Sequence, residues 1–225
     1  MTLTVDIGNT RSKWALFDGD RLAEEGAGLP LPQAERTVFC ATGEVSPEMR
    51  KALGDEAVDF ATFVREGRLP IGIDYATPQT LGPDRVAAAC GAWNISGGKA
   101  CVVIDAGTCI TIDYLDASGT YRGGAILPGI SMKFRALHTF TAKLPLLEER
   151  GETIVTGRDT RQSIMAGVLT ATHYAVEGFV NHYRQLSPDV QVIVSGGDAR
   201  QVAVEGCRIE PQLVMWGMRE VRSKK

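Results

Sequence analysis

Apolar residues recur along this chain in two patterns, one alternating as in strands and one at helical spacing. The strand-like segments come in matched pairs. "LTVDIG" (residues 3–8) and "VVIDAG" (102–107) are apolar, largely β-branched runs that end in Asp, a small or apolar residue, and Gly. Each leads through polar positions into a second alternating stretch, "KWALFDGDRL" and "ITIDYLDASGTYRG", with a Gly-containing turn suited to a β-hairpin. A third pair, "VFCATG" (38–43) and "VIVSGG" (192–197), closes a strand in each half. The pattern therefore predicts one α/β unit used twice, with extra material in the second copy. Helical spacing fills the intervals. "SPEMRKALGD" (46–55) opens with Ser and Pro and ends at Gly, "DRVAAACGAWNI" (84–95) is alanine-rich and closed by "SGG", and 160–186 reads as one long apolar helix with Thr160 as its N-cap. The boundary between two domains, 1–97 and 98–225, is expected near "SGGK" (96–99).

Composition narrows the classes. At 225 residues, 44% hydrophobic and 23% charged, the chain has the makeup of a globular protein of one or two domains. A formal net charge of −3 gives no electrostatic footprint for nucleic acid, and no apolar run reaches the ~18 residues that span a bilayer. No secretory signal is read at the N-terminus. Five scattered cysteines without CxxC spacing read as buried free thiols in a reducing cytoplasm. The three histidines share no metal-ligand spacing and read as structural or exposed, and the three tryptophans as packing residues.

The question these segments raise is why an apolar strand should run into "DIGNTRSK" (6–13). As a core this is costly; as a place where backbone meets phosphate oxygens it is sensible. A Walker loop is excluded: "SGGKA" lacks the first Gly, ends in Ala and precedes a strand. No GxGxxG follows a strand either. What remains is a strand–turn–strand loop used twice, in which Gly8 allows close backbone approach, hydroxyls and Lys13 add donors, and the Asp at each strand end can hold a cation directly or through water.

This arrangement is similar to that of the acetate and sugar kinase, actin and heat-shock ATPase superfamily. Within it the chain resembles the type III pantothenate kinases. The motifs that carry the resemblance run in order: "DIGNTRSK" (6–13), Tyr75 followed by "GPDR" (82–85), "DAGT" (105–108), "GGAILPGI" (123–130), "TAKLP" (141–145), "GRDT" (157–160) and "SGGDA" (195–199). Any one is weak; seven in order are specific. The resemblance implies two ribonuclease H-like, actin-like α/β domains with a cleft between them. It implies ATP-dependent phosphorylation of pantothenate to 4'-phosphopantothenate, the first step of coenzyme A biosynthesis, by a cytoplasmic homodimer that uses Mg²⁺ and a monovalent cation (K⁺ or NH₄⁺). Residue by residue, it implies nucleotide contacts at Asp6, Ile7, Gly8, Asn9, Thr10, Arg11, Ser12, Lys13 and Thr108, and a general base at Asp84. It implies pantothenate contacts at Tyr75, Gly82, Pro83, Asp84, Arg85 and, across a dimer interface, Thr160, with Asp105 at the monovalent cation. The helix from Thr160 would supply the dimer contact. Read alone, "GPDR" is a turn with Asp as helix cap and a surface Arg. The rival functions are a catalytically silent nucleotide-binding regulator and a different member of the superfamily, such as an exopolyphosphatase or a sugar or acetate kinase.

Overall fold

The structure, a computed structural model, describes residues 1–148 and 150–221. In chain order the first elements are β1 (Thr2–Ile7), β2 (Ser12–Asp18), β3 (Arg21–Ala27), β4 (Arg36–Ala41), α1 (Pro47–Leu53), β5 (Val58–Asp59), α2 (Phe60–Arg65), β6 (Gly72–Ile73) and α3 (Pro83–Ile95). They are followed by β7 (Cys101–Ala106), β8 (Cys109–Leu115), β9 (Thr120–Pro128), α4 (Ile130–Thr139), α5 (Thr160–Met165) and α6 (Ala171–Leu186). The chain closes with β10 (Gln191–Ser195), α7 (Ala199–Val202), β11 (Arg208–Ile209) and α8 (Leu213–Glu220). Two compact units result. One takes Met1–Lys99, Leu115–Gly123 and the segment from Gln212; the other takes Ala100–Tyr114 and Gly124–Pro211.

The internal repeat is a repeat of sheet topology. The first sheet has the order β3-β2-β1-β4-β5 and the second β6-β9-β8-β7-β10-β11, so that, β6 apart, the strands of the two sheets occupy corresponding places. In both, an antiparallel hairpin is followed by a strand that returns parallel to the first: Thr2–Ile7 pairs with Arg36–Ala41, and Cys101–Asp105 with Gln191–Ser195. Strands flanked on both sides must bury both faces, which is why these runs are nearly continuous in apolar residues. Leu3, Val5, Ile7, Trp14 and Leu16 join Met49 and Leu53 of α1 in one core. In the second unit Val102, Ile104, Ile110 and Ile112 join Ile130 and Phe134 of α4 and Val176 and Val180 of α6.

Helix α1 begins as its sequence implies, with Ser46 Oγ accepting from the Met49 amide at 3.2 Å and Pro47 at the first helical position. The run 160–186 departs from expectation twice. Its N-cap is Asp159, whose carboxylate accepts from the Gln162 amide at 2.7 Å, so Thr160 is the first helical residue and not the cap. It is also not one uniform helix: a π-helical turn, Ala166–Thr170, separates α5 from α6. Helix α3 buries Arg85 through Ala92. Against it runs α8, and the two meet backbone to backbone at glycines: a Cβ on Gly217 would stand 1.7 Å from the Ala87 carbonyl oxygen, and one on Gly91 2.3 Å from that of Leu213. All five cysteines are free thiols, but only Cys40, Cys90 and Cys101 are buried, Cys109 and Cys207 being half-buried; no helix among the described residues is long and apolar enough to cross a membrane.

Candidate active site

The first loop is a hairpin end. Asp6 pairs with Lys13 and Ile7 with Ser12, leaving Gly8–Arg11 as the connection, closed by the Gly8 amide donating to the Arg11 carbonyl at 3.2 Å. Asn9, Thr10 and Arg11 are exposed. The loop is braced from behind. The amides of Thr42 and Gly43, just past β4, both donate to the Ile7 carbonyl (3.0 and 3.2 Å), and a Cβ on Gly43 would lie 2.8 Å from the Gly8 oxygen. Only glycine permits that approach.

Asp6 is half-buried and lies in register with Cys40 on β4. The Cys40 thiol is fully buried, and burial pushes its pKa up, helped by the negative charges of Asp6, Asp84 and Asp59. Asp6 and Asp84, 78 positions apart in sequence, thus act on one buried group.

Asp84 occupies the first turn of α3, where anions are favoured by the exposed helix amides. It is not the cap; Gly82 is, and its lack of a side chain has a purpose. A Cβ on Gly82 would stand 2.5 Å from Asp84 Oδ1, so the glycine leaves room for the carboxylate to fold back. There it accepts hydrogen bonds from the amides of Asp84 itself and of Arg85. Burial raises its pKa; those amides and the Arg85 charge oppose the rise without cancelling it. Arg85 is not a surface residue: it is 7% exposed. Tyr75 is half-buried, with its ring edge-on to that of the fully buried Tyr121 at 6.1 Å between centroids.

The second unit repeats the strand-end Asp with a tighter turn. Asp105 is half-buried and in register with Ser195, and the turn Gly107–Thr108 is closed by the Gly107 amide donating to the Cys109 carbonyl at 2.8 Å. Two other glycine motifs pack onto it. The Gly129 amide donates to the Thr108 carbonyl at 3.1 Å, and a Cβ there would be 2.3 Å from the same oxygen. Gly196 has φ +93°, and a Cβ on it would be 2.6 Å from Asp105 Oδ1. "GGAILPGI" and "SGGDA" are therefore parts of one knot around "DAGT". Arg150 holds the far side of that knot with a two-pronged ion pair to Asp198 at 2.7 and 3.0 Å. Thr108 and Thr160 are both exposed.

Comparison with known proteins resolves what such a pair of units belongs to. A family model for type III pantothenate kinase matches residues 30–182, more than half of the chain. A type III pantothenate kinase of Phocaeicola vulgatus is 36% identical over 209 residues, covering 88% of this chain and 86% of that one. The chain belongs to the type III pantothenate kinase family. A second such kinase, from Flavobacterium johnsoniae, is also 36% identical, with 90% and 88% of the two chains covered. Among solved structures, a Campylobacter jejuni protein described as a Baf family transcriptional activator superposes with TM-score 0.65 at 19% identity, covering 97% of this chain and 96% of that one. The activator of 2-hydroxyisocaproyl-CoA dehydratase from Clostridium difficile, solved with ADPNP bound, gives TM-score 0.51 at 12% identity, with 96% and 92% covered. These two likenesses concern the fold alone, which is the actin-like α/β fold used by this kinase family.

Several contributors escape a motif-based reading. Gly43 and Cys40 lie in the quoted "VFCATG" but show their importance only once β4 is laid beside β1. Nothing in the sequence marks Asp74 or Arg122, which flank the Tyr75 segment. Among the described residues no group of three His, Cys, Asp or Glu side chains forms a ready metal cluster.

Proposed function

We propose that this chain transfers the γ-phosphoryl group of ATP to the primary hydroxyl of pantothenate, giving 4'-phosphopantothenate and ADP in coenzyme A biosynthesis. The observation that carries the mechanism is the Asp84 carboxylate, folded over the start of α3 with a raised pKa and a glycine beside it. In the proposed reaction the pantothenate hydroxyl oxygen bonds to the γ-phosphorus, the bond from that phosphorus to the ADP oxygen breaks, and Asp84 accepts the hydroxyl proton late in the transfer. Arg85, buried beside Asp84, pairs with the pantothenate carboxylate or fixes the base. Tyr75, Gly82 and Pro83 complete the pocket. Residues Asp6–Lys13 and Thr108 hold the phosphates, and most of the acceleration comes from positioning and charge neutralisation.

The cations of this reading fit the donors present. Mg²⁺ keeps most of its waters and takes one or two carboxylates, so Asp6 at the end of β1 suffices without a three-ligand cluster. When bound, it neutralises phosphate charge. For K⁺ or NH₄⁺, Asp105 Oδ1 faces the space that a side chain at position 196 would fill. A cytoplasmic homodimer completes the reading, with Thr160 serving the partner's pocket. Tyr174 and Leu186 of α6 support it, being 54% and 63% exposed.

The test is ADP release coupled to a reporter, with pantothenate as acceptor. Turnover that depends on pantothenate and falls when K⁺ or NH₄⁺ is replaced by Na⁺ is expected. ATP binding without pantothenate-dependent ADP release would reject the kinase reading. Equal rates in the three salts would reject the Asp105 assignment, and a monomer in sedimentation at micromolar concentration would reject the role of Thr160.

A further inference from the structure

Tyr75 sits on a segment with little structure of its own, since β6 is only two residues long. What holds it is the end of a neighbouring hairpin. β6 pairs in parallel with the start of β9, Gly72 opposite Thr120 and Ile73 opposite Tyr121. The Gly72 amide donates to the Gly119 carbonyl at 2.8 Å and the Asp74 amide to that of Tyr121 at 3.0 Å. The Tyr75 ring then lies against the Tyr121 ring and over Gly123, where a Cβ would come within 3.4 Å of two ring carbons. This backbone ladder ends at Asp74, one residue short of Tyr75.

Side chains take over at that point. Arg122 donates through Nη1 to Asp74 Oδ2 at 2.5 Å and through Nε to Asp116 Oδ2 at 2.7 Å. Asp116 is itself anchored: its other oxygen accepts from the Ser118 amide (2.9 Å), the Ser118 hydroxyl (2.6 Å) and the Thr120 amide (3.0 Å). One guanidinium therefore ties the residue before Tyr75 to a rigid turn 42 positions away. A planar fork can serve two carboxylates at once; an ammonium would serve them less well.

We infer that Arg122 is a positioning residue: through Asp74 and the Asp116 turn it fixes the Tyr75 segment, and so the ring that faces pantothenate. The second half of this statement rests on the proposed role of Tyr75; the first does not. The link between Arg122 and Asp74 is solvent-exposed, the two side chains at 44% and 67%, so it contributes little to global stability. Its effect is local order.

The test combines kinetics with a direct view of the ring. In Arg122→Gln and Asp74→Asn, KM for pantothenate should rise about 3–10-fold while kcat, KM for ATP and Tm hold, since ground-state positioning of one substrate is lost. The double variant should be no worse than either single one, because both remove one link. Arg122→Lys should recover part of the loss. In protein with ¹³C-labelled tyrosine rings, the signal assigned to Tyr75 by its loss in Tyr75→Phe should shift or broaden in Arg122→Gln, with those of Tyr114 and Tyr183 unchanged. An unaltered Tyr75 signal overturns the clamp, and so does a fall in kcat and Tm together, which would mark a merely structural role. If the ring responds but pantothenate KM stays constant in both Arg122→Gln and Tyr75→Ala, the clamp stands and the pocket assignment of Tyr75 falls.

Discussion

Replacing Gly82 by Ala separates the chemistry of this site from its stability. The new Cβ would stand 2.5 Å from Asp84 Oδ1, against the 3.4 Å at which ordinary contact begins, so the carboxylate must retreat by about 0.9 Å. Nothing else of consequence is in the way: the next atom met is Arg85 Cδ at 3.7 Å. The retreat moves the carboxylate away from a hydroxyl placed to meet it. A displacement near 1 Å at a reacting group costs up to about 10²-fold in rate, or roughly 2.7 kcal/mol of barrier. The backbone does not object, because φ −56° and ψ 126° suit alanine. Removing a glycine from the unfolded chain stabilises by about 0.4–1 kcal/mol, which raises Tm by roughly 1–4 °C. The expected outcome is therefore a protein that turns over pantothenate up to about 100-fold more slowly and melts at the same temperature or slightly higher. Steady-state ADP release and thermal melting on one preparation measure both. Normal turnover would refute the argument that this glycine sets the position of the base, and a Tm lowered by several degrees would refute the claim that the contact is confined to the site.

Asp84→Asn keeps the shape and removes the proton acceptor, so turnover should fall about 10²–10⁴-fold with ATP affinity nearly unchanged; near-normal turnover would move suspicion to Asp6. In the unsubstituted protein the acid limb of kcat/KM should lie above 3.8, the ordinary value for this carboxyl, because burial raises its pKa. Linkage gives the matching sign for stability: the folded state holds the Asp84 proton more tightly, so this group's contribution is complete below 3.8 and is lost as pH rises through the raised value, a slope that Asp84→Asn should remove. Lys13→Ala should weaken ATP binding in a nucleotide titration while leaving the protein folded, since Lys13 is only half-buried at the start of β2. Gly217→Ala should act on the fold instead: its Cβ would meet the backbone of Ala87 at 1.7 Å, which no rotamer change relieves, so a cost of about 1–3 kcal/mol should lower Tm by roughly 2–12 °C.

Much of this was legible before any coordinates. The paired strand ends at Asp6 and Asp105 are visible because an apolar run must stop where a carboxylate begins, and both runs form inner strands with a neighbour on each side. The cap at Ser46 is local chemistry, so the sequence shows it. What stayed hidden depends on pairing between distant segments. β6 and β5 are two residues long and exist only because an edge strand receives them. The π-turn at Ala166–Thr170 breaks a run whose apolar spacing is compatible with one continuous helix, and residue type alone does not separate Asp159, the actual cap, from Thr160 beside it. Segment 212–221 carries no motif, yet Gly217 and Gly91 bring it against α3 more closely than any larger residue would allow. Arg85 looked like a surface charge in isolation; only the packing of α3 buries it.

The same sheet order used twice leaves a question that the repeat alone does not answer, namely why the two strand ends should do different work. The difference lies in what fills the turn. After β1 there are four residues, Gly8–Arg11, with Arg11 exposed and Lys13 next in the strand. After β7 there are two, Gly107–Thr108, with no cation among them. A longer loop with backbone amides, hydroxyls and positive side chains suits an anion. The tighter turn is crowded instead by backbone: Gly129 and Gly196 both approach it at distances where a Cβ would overlap carbonyl oxygens, and carbonyl oxygens beside a half-buried carboxylate suit a cation. The residues in register reinforce the division. Asp6 lies in register with a thiol that burial keeps protonated, whereas Asp105 lies in register with Ser195, whose hydroxyl is a further oxygen donor. One hairpin geometry used twice thus suits the proposed phosphate loop in the first unit and a candidate cation seat in the second. Removing the carboxylate with Asp105→Asn should therefore abolish the response to K⁺ in the ADP-release assay before it abolishes ATP binding; retention of a full K⁺ response in a folded Asp105→Asn protein would show that Asp105 holds no cation.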